Sequence, residues 1–337
     1  MRSALRPWVR IVIVNYNAGA LLQSCIEALA RQTMSSFEAV IVDNASTIFP
    51  IADVRLPDDR FQIRQAGANI GFAAGNNLGA KGSKCPWIAA LNPDTCPRPH
   101  WLAALRAATD KYPWATMFGS TQLNMENPEI IDGFGDVLST SASAWRSGNG
   151  RSIAELPAGD CEVFSPCAAA ALYARPSFER EGGFDESFFC YLEDVDLGFR
   201  LRLRGERCVQ VRRAEVLHAG SAITGHLSEF SVFHSYRNRI WLFIKNAPWP
   251  LLLPILGLQS VAIALSLSRP QARSYRQIAL KGLWASLKGL PIALQKRRKI
   301  QQQRTASTLE VARMMVWNPF KGRPKGRIQL LRLLSQG

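Results

Sequence analysis

The first 43 residues contain the pattern that most restricts the fold: an apolar strand, an amphipathic helix and a second apolar strand. Residues 9–14 are almost all aliphatic, which is typical of a strand covered on both faces. Apolar residues at helical spacing follow, and residues 38–42 predict the second strand. A strand, a helix and a strand within about 35 residues form a βαβ unit, so the chain is predicted to adopt an α/β fold.

Polar residues follow both strands at their carboxyl ends. Asn15, Tyr16 and Asn17 follow the first strand, and Asp43 and Asn44 follow the second. Ligands of open α/β sheets bind outside these strand ends. A tyrosine ring can stack on a nucleobase, and a carboxylate can accept hydrogen bonds from a base or a ribose. A nucleotide site is therefore predicted here, although Tyr16 or Asp43 alone could equally belong to an ordinary polar loop.

Residues 69–79 form a glycine-rich turn that leads into a predicted helix. Glycines allow close approach of the backbone to a ligand, and a helix N-terminus suits phosphate. The segment matches neither a Walker A motif nor a dinucleotide fingerprint. Alone it is weak evidence for a phosphate site.

A third predicted strand, residues 86–91, ends at Asn92, Pro93 and Asp94, and residues 99–112 predict a helix. A carboxylate directly after a buried strand can reach a divalent ion, because Mg²⁺ commonly binds one or two carboxylates together with substrate phosphates. The alternative is a common Asn-Pro-Asp turn.

Residues 182–205 combine acids with aromatic and aliphatic residues. Glu193, Asp194 and Asp196 fall in the first turn of a predicted helix, where the helix dipole favours anions, and arginines fall in its last turns. A charged surface helix would explain this pattern. The aromatic residues at 184, 188, 189 and 191 instead favour a partly apolar cleft, in which a carboxylate can be tuned as a general base.

The segments around this helix carry weaker patterns. Residues 120–160 are polar and rich in glycine and serine, which predicts a long loop or small insertion over the site. Residues 162–175 predict one strand. Residues 208–211 and 214–217 predict a strand and its continuation, ending at His218. A lone histidine is often structural, but this one ends a strand as Asp43 and Asp94 do, so it is also a candidate ligand.

The net charge of +15 lies entirely in the C-terminal part of the chain. Residues 269–337 hold 16 Lys and Arg and one acid, whereas the first 268 residues are neutral. Residues 248–268 form an uncharged run of about the length that spans a bilayer. A spanning or re-entrant segment, an interfacial helix and a soluble helix all remain open.

Residues 269–304 place tryptophan and leucine among basic residues and include the cluster at 296–299, a composition typical of a helix on an anionic membrane. Nucleic acid is the rival partner for a basic region. It is less expected, because no nucleic-acid motif is present.

Seven cysteines show no metal spacing and no C-x-x-C pair. We therefore expect reduced thiols in a cytosolic setting. Arginines at 2, 6 and 10 precede an apolar run that is too short for a signal peptide.

Several ordered motifs together resemble the family 2 glycosyltransferases, and most closely their bacterial rhamnosyltransferase-like branch. The resemblance covers about residues 9–245. The motifs are Val12–Asn17, Val42–Ser46, Asn69–Phe72 with Gly75–Asn77, Asn92–Asp94, Gly183–Asp185 with Glu193–Leu197, and Tyr236–Arg239.

The resemblance implies a GT-A fold, which is a Rossmann-like mixed sheet flanked by helices, together with a nucleotide-sugar donor, a divalent metal (Mg²⁺ or Mn²⁺) and inversion at the anomeric carbon. It implies that Asp94 and His218 bind the metal, with Asn92 replacing the first acid of the family's D-x-D motif. It implies that Asp194 is the general base and that Glu193 and Asp196 orient it and the acceptor. The implied donor-binding residues are Asn15, Tyr16, Asn17, Asp43, Asn44, Asn69, Gly71, Phe72, Asn76 and Asn92.

We therefore predict a GT-A domain over residues 1–245, with a nucleotide-binding half (9–118) and an acceptor and catalytic half (119–245). Residues 246–337 are predicted to form an apolar and then basic helical region that associates with the membrane. The expected function is sugar transfer, favouring rhamnose from dTDP-rhamnose, to a glycan or lipid-linked acceptor in cell-envelope polysaccharide synthesis. The expected location is the cytoplasmic face of the inner membrane, bound peripherally through residues 246–304.

Three alternatives remain open. The chain could transfer another hexose or galactofuranose from a UDP- or GDP-sugar. It could be a non-catalytic, membrane-bound protein that binds nucleotide sugars. A nucleic-acid-binding protein is the third alternative, and we predict no nucleic-acid partner.

Overall fold

A computed structural model describes residues 6–141, 143–220, 227–317 and 328–334. The described residues contain one mixed sheet of eleven strands, a separate two-stranded hairpin and ten α-helices. The strands are β1 (Val9–Asn15), β2 (Phe37–Asp43), β3 (Phe61–Gln65), β4 (Trp87–Leu91), β5 (Thr95–Pro97), β6 (Met117–Asn124), β7 (Ile131–Gly133), β8 (Asp136–Ser139), β9 (Ser143–Arg146), β10 (Cys161–Val163), β11 (Ala170–Ala174), β12 (Cys208–His218) and β13 (Arg332–Leu333). The helices are α1 (Ala20–Ala30), α2 (Gly71–Ala80), α3 (Trp101–Lys111), α4 (Arg175–Arg180), α5 (Glu193–Leu203), α6 (Glu229–Asn246), α7 (Trp249–Ser268), α8 (Arg276–Lys288), α9 (Leu290–Gln302) and α10 (Thr308–Arg313).

The sheet has a parallel half and a mixed half. Strands β4, β1, β2 and β3 run parallel in that order. Strand β11 then lies antiparallel between β4 and β6, and β6 pairs in parallel with β12. The predicted α/β class is confirmed, and the three predicted strands are β1, β2 and β4. The sequence analysis did not predict β3, an edge strand with exposed Gln62 and Gln65.

The glycine-rich segment is mostly the helix α2 itself. A Cβ at Gly79 would come within 2.3 Å of Val12, and a Cβ at Gly75 within 2.8 Å of Val14. These glycines therefore allow the helix to lie close against β1. Gly71 has φ +83°, and a Cβ there would lie 2.6 Å from the carbonyl oxygen of Phe189, so the first residue of α2 meets the loop that precedes the acidic helix.

The segment 120–160, predicted as a long loop or small insertion, contains regular structure, because it supplies part of β6 and the whole of β7, β8 and β9. Polar residues occupy buried positions of the central strand β6 and conceal its strand pattern. Two of these side chains have partners inside the protein: Trp101 Nε1 donates to Ser120 Oγ at 2.8 Å, and Thr121 Oγ1 donates to Arg212 O at 2.9 Å. The single strand predicted over 162–175 is in fact β10 and β11, with a loop between them.

The C-terminal helices pack on the domain through α6. Helix α8 places its small residues Ala279, Gly282 and Ser286 on the buried side, and a Cβ at Gly282 would lie 2.6 Å from the carbonyl oxygen of Phe233. Strand β13 pairs with β10. The region after residue 245 is therefore helical through Arg313, and part of it returns to the sheet.

Helix α7 is long and apolar enough to cross a membrane, by length and composition alone. One face of α7 is fastened to the protein by Gln259, which accepts hydrogen bonds from Arg239 and donates to Thr140 O at 2.9 Å.

Candidate active site

The ends of β1 and β2 meet in a fixed polar arrangement. The parallel register pairs Asn15 with Asp43. Asn15 Nδ2 donates to Asp43 Oδ1 and to Ser46 Oγ, both at 3.0 Å. Asn17 Oδ1 accepts from the backbone amides of Thr47 and Ile48 at 2.8 Å. These predicted residues are therefore brought together at the strand ends, and Asp43 is held in place by the Asn15 amide.

A second polar group joins this edge to α2. Asn44 Nδ2 donates to Asn69 Oδ1 at 2.9 Å, and Asn69 Oδ1 also accepts from Gly71 N at 3.1 Å. Tyr16 is exposed, with a ring free to stack. Asn76, by contrast, is buried and its amide donates to Phe72 O within the same helix at 3.0 Å, a position that favours packing over donor contact.

A cleft of about 360 Å³ opens beside this edge. Asn15, Gly19 and Phe49 are among its lining residues, and a Cβ at Gly19 would come 3.2 Å from the Phe49 ring. The sequence analysis did not single out Phe49, because an isolated phenylalanine in a loop has no pattern to mark it.

The pairing of β5 with β12 brings Asp94 beside His218. Thr95 lies opposite His218 in the ladder, and Ala219 N donates to Asp94 O at 3.0 Å. His218 Nε2 is 3.4 Å from Asp94 Oδ1. These two atoms and Asn92 Oδ1 are buried without a hydrogen-bond partner among the described residues.

Orphaned buried polar atoms are rare in folded proteins, and this set fits a divalent cation. A carboxylate, an amide oxygen and an imidazole nitrogen are ligands that Mg²⁺ or Mn²⁺ accepts. Asp94 and His218 are therefore suitably arranged to hold such an ion, with Asn92 beside them.

Two residues that sequence reasoning missed surround His218. Asp132 Oδ2 lies 2.7 Å from His218 Nδ1 and also accepts from Arg146 Nη1. Burial would lower the pKa of His218, but the hydrogen bond to Asp132 and the nearby Asp94 outweigh it and raise the pKa to about 9. Both missed residues lie in the segment that was interpreted as a loop, so no strand pattern pointed to them.

The predicted base lies at the start of α5 with its oxygens on backbone donors. Asp194 Oδ2 accepts from Ala168 N at 2.9 Å, and Oδ1 accepts from Val195 N at 2.8 Å. Burial raises the pKa of Asp194, while these backbone hydrogen bonds and the charge of Arg146 limit the increase. Glu193 is buried, and its Oε2 has no hydrogen-bond partner among the described residues.

A third carboxylate, Asp136 at the start of β8, was also missed. It accepts from Ser165 Oγ at 3.1 Å. Burial, followed by the charge of Asp194, raises its pKa well above the ordinary range. Burial and Asp194 likewise raise the pKa of Glu193. Within the described residues, no lysine or arginine forms an ion pair with these three acids, which we call the cleft acids (Asp136, Glu193 and Asp194).

A short loop connects the acids to the metal-binding candidates. Ala168 N donates to Asp194, and its neighbour Ala169 accepts from Asn92 N at 2.9 Å. The candidate base and the candidate metal ligands are therefore tied to adjacent residues of one loop.

Asp196, which was predicted to orient the base and the acceptor, makes its hydrogen bonds to other groups. Asp196 is fully buried on the inner side of α5. Its Oδ2 accepts from Arg200 Nε at 2.9 Å, and its Oδ1 accepts from Lys245 Nζ at 2.7 Å and from Asn246 Nδ2 at 2.8 Å. Its oxygens are used to bind α6 to α5, because helical periodicity turns position 196 away from position 194.

Lys245 also contacts Asp185, which in turn contacts Lys296 of α9. Burial would raise the pKa of Asp185, but the charge and hydrogen bond of Lys245, with Lys296, lower it below its ordinary range. Asp185 and Asp196 form the pair that we call the core acids. Lys296 is therefore partly used inside the protein, as is Arg297, which donates to Ile244 O at 2.7 Å. Two of the four basic residues in the predicted cluster at 296–299 therefore contact other parts of the protein and are less available to bind a membrane.

The loop before α5 adopts an unusual backbone conformation. Phe189, Tyr191 and Leu192 all have positive φ, at 62°, 70° and 69°, which costs free energy for non-glycine residues. Asn238 of α6 donates to the carbonyl oxygens of residues 188, 190 and 191 at 2.8–3.0 Å. The predicted 236–239 motif therefore includes the clamp that holds this loop.

Comparison with known proteins shows similarity to glycosyltransferases. Residues 10–132 match the sequence model of glycosyl transferase family 2. An N-acetylglucosaminyl-diphospho-decaprenol L-rhamnosyltransferase of Mycobacterium tuberculosis is 29% identical over 266 residues, covering 71% of this chain and 85% of the relative. A low-salt glycan biosynthesis hexosyltransferase of Haloferax volcanii is 26% identical, covering 68% of this chain and 73% of the relative.

Solved structures show the same fold. S. aureus TarS in complex with UDP-GlcNAc superposes with a TM-score of 0.55 at 14% identity, covering 92% of this chain and 93% of the other. A mannosyltransferase of Pyrobaculum calidifontis in complex with GDP-Man and Mn²⁺ gives a TM-score of 0.53 at 15% identity, covering 86% and 88%. The fold is GT-A, as the sequence resemblance implied.

Proposed function

Because residues 10–132 match the model of glycosyl transferase family 2 and a rhamnosyltransferase is 29% identical over 71% of this chain, we propose that the chain is an inverting enzyme of this family that transfers a sugar from a nucleotide diphosphate donor to a glycan or lipid-linked acceptor. The observation that carries the proposal is the placement of two different groups beside the loop at residues 168–169. Unpaired metal-ligand atoms lie on Asp94 and His218, near the Asn92 contact of that loop, and the base candidate Asp194 accepts from the loop at Ala168.

In the proposed reaction Asp194 takes the proton of the acceptor hydroxyl as its oxygen attacks the anomeric carbon. The bond between that carbon and the diphosphate oxygen breaks, and the diphosphate leaves with the electron pair. A divalent cation held by Asp94 and His218 would neutralise charge on the departing diphosphate. The elevated pKa of Asp194 makes this carboxylate a stronger base than an exposed aspartate.

Donor binding is proposed for the edge formed by β1, β2 and α2. Asp43, fixed by Asn15, would accept hydrogen bonds from the base or ribose, and the exposed Tyr16 ring would stack on the base. We favour dTDP-rhamnose, because the M. tuberculosis relative is an L-rhamnosyltransferase. A UDP- or GDP-hexose, or a galactofuranose donor, is the alternative.

A lipid-linked acceptor is proposed because the name of the same relative includes a diphospho-decaprenol. The C-terminal helices support membrane contact. The exposed faces of α7, α8 and α9 carry nine large apolar side chains that are between 48% and 73% exposed, while lysines at 281, 288 and 299 and Arg298 are exposed near them along the chain. We call these nine residues the apolar face: Trp249, Leu253, Val261, Leu265, Leu280, Trp284, Leu287, Ile292 and Leu294.

We propose that the apolar face rests on an anionic bilayer at the cytoplasmic side of the inner membrane. The polar fastening of α7 through Gln259 favours an interfacial helix over a separate span. Trp284→Glu combined with Leu287→Glu should abolish flotation with vesicles that contain phosphatidylglycerol. Leu56→Glu, a change at another exposed leucine, serves as the control. Equal flotation of both variants, or a preference for duplex DNA over vesicles, would contradict this proposal.

The donor is tested by thermal shift with a panel of nucleotide sugars, with and without Mn²⁺ or Mg²⁺. A bound donor stabilises the native state by about 2.7 kcal/mol at a hundredfold excess over its dissociation constant. We expect one sugar nucleotide to give a metal-dependent shift that Asp94→Ala removes. Binding of a donor without any transfer or hydrolysis would instead support a non-catalytic scaffold.

A further inference from the structure

His218 is enclosed by two carboxylates on opposite sides of its ring. Nε2 lies 3.4 Å from Asp94 Oδ1, and Nδ1 lies 2.7 Å from Asp132 Oδ2. All three side chains are more than nine-tenths buried. The short contact is therefore on the nitrogen that points away from the proposed cation, and the nitrogen towards Asp94 has no hydrogen-bond partner in the described part of the chain.

From this geometry we propose that Asp132 is a positioning residue: it holds the His218 proton on Nδ1 and aims the Nε2 lone pair at the cation proposed for Asp94. A histidine that binds a metal through one nitrogen commonly donates its other N–H to a carboxylate, which fixes both ring orientation and tautomer. The inference rests on the proposed metal dependence of the enzyme.

Arg146 completes the arrangement from β9. Its Nη1 donates to the same Oδ2 of Asp132 and lies 3.3 Å from His218 Nδ1. A guanidinium can only donate hydrogen bonds. The carboxylate of Asp132 is therefore the acceptor for the N–H of Arg146 and for the N–H of the His218 ring. A carboxylate acceptor at Nδ1 favours the tautomer that carries its proton on that nitrogen.

Strand β7 places Asp132 for this role. The backbone carbonyl oxygen of Asp132 accepts from Asn149 Nδ2 at 2.7 Å, and β7 pairs with β6, which is itself the neighbour of β12. His218, at the end of β12, and Asp132 are therefore fixed by adjoining ladders and do not depend on a mobile loop.

Mn²⁺ alone, titrated into the full chain and followed by the electron paramagnetic resonance of the free ion, tests the inference. Asp132→Asn should weaken Mn²⁺ binding about ten- to hundredfold, the effect usual for such outer partners. Asp94→Asn should weaken it at least as much. Asp160→Asn is the matched control, because the Asp160 carboxylate also accepts two hydrogen bonds, from Arg212 N and Tyr112 Oη, away from the proposed metal site.

A second readout needs no metal. Long-range ¹H–¹⁵N spectra of the histidine rings, recorded above the His218 pKa of about 9 so that the ring is neutral, report which nitrogen of His218 carries the proton. Asp132→Asn should move proton occupancy from Nδ1 towards Nε2, while Asp160→Asn leaves it unchanged. A purely structural role for Asp132 predicts lower stability with the wild-type tautomer and wild-type Mn²⁺ affinity.

The failures can be told apart. If the wild type binds Mn²⁺ and Asp132→Asn binds it equally well, the inference is wrong and the proposed function stands. If the wild type binds no Mn²⁺, the metal-dependent part of the proposed function fails and the inference fails with it.

Discussion

Asp194 and Asp196 lie two positions apart on α5, yet their surroundings differ in charge. Asp196 is surrounded by the cationic groups of Arg200 and Lys245. Asp194, with Asp136 and Glu193, lies in a group of acids for which the described residues supply no ion pair. Burying charge without a partner costs free energy, so the cleft acids are retained at a cost to stability.

The difference shows how to separate scaffold from site. The core acids (Asp185 and Asp196) hold together α5, α6 and α9 through Lys245 and Lys296. The cleft acids leave proton-accepting groups next to the metal-ligand candidates. Acids whose charges are matched inside the protein serve folding, and acids whose charges are unmatched are available for chemistry.

The largest expected effect on stability comes from the core side. Lys245→Met should lower the free energy of unfolding by about 3–5 kcal/mol, because removing one partner of a buried ion pair leaves charge uncompensated. Urea unfolding measures this loss. Lys281→Met, at an exposed lysine of α8, is the control and should change stability little. Equal stability of the two variants would contradict the claim that the core acids and Lys245 stabilise the fold.

A change at the metal-ligand candidate Asp94 should resemble a change at the cleft acids, because it should affect turnover more than stability. Asp94→Asn should reduce turnover at least about a hundredfold, because the cation it helps to hold contributes several kcal/mol to the transition state. The unfolding free energy should stay close to that of the wild type. Steady-state sugar transfer at varied Mn²⁺ concentration measures the loss of turnover, and Asp110→Asn, at an exposed aspartate, is the control. Full activity at low Mn²⁺ would contradict the assignment.

The strained loop between the two sides should give an intermediate effect. Asn238→Ala removes the donor to three carbonyl oxygens, so we expect a loss of about 1–3 kcal/mol in unfolding free energy. Because the loop precedes Glu193 and Asp194, kcat should fall more than KM rises. Asn127→Ala, a change at a surface turn, should have neither effect. A change in stability with unaltered kcat would limit Asn238 to a structural role.

The smallest expected effect is on the pH dependence of the free energy of unfolding, which should have opposite signs for Asp185 and Asp194. The pKa of Asp185 is lowered, so its stabilisation is present above the unfolded value of about 3.9 and is lost as pH falls through the folded value. The pKa of Asp194 is raised, so the native state loses stability as pH rises from about 3.9 to the folded value, where turnover also gains the ionised base.

Urea unfolding of Asp185→Asn and Asp194→Asn across the acidic range measures both signs. The first variant should flatten the loss of stability on acidification, and the second should remove the loss on raising pH. The same slope in both variants would show that the two environments do not differ.

The sequence predicted the strand ends at which several candidate residues lie. Asn15, Asp43 and Asp94 end apolar strands, and this pattern is local and visible along the chain. His218 was identified for the same reason. Asp132, Asp136 and Arg146 lie on strands rich in polar residues, whose burial depends on partners distant in sequence, so no periodicity marked them.

The role of Asp196 was predicted from a motif shared with Asp194, whereas its two cations come from Arg200 and from Lys245 of α6. Helical spacing already places Asp194 and Asp196 on different faces of α5. Only the packed structure shows that the face with Asp196 contacts Lys245. The C-terminal region was similarly divided: its helices were expected from composition, whereas the use of Lys296 and Arg297 inside the protein depends on tertiary contacts.

The most direct measurement compares Asp194→Asn with Asp196→Asn, in parallel assays of sugar transfer and urea unfolding. The account predicts that Asp194→Asn loses turnover by about 10²–10⁴-fold, the usual contribution of a general base, while it keeps donor affinity and is at least as stable as the wild type. Asp196→Asn should lose about 3 kcal/mol of stability and keep turnover in its folded fraction. A fully active Asp194→Asn, or an inactive Asp196→Asn with wild-type stability, would contradict the account.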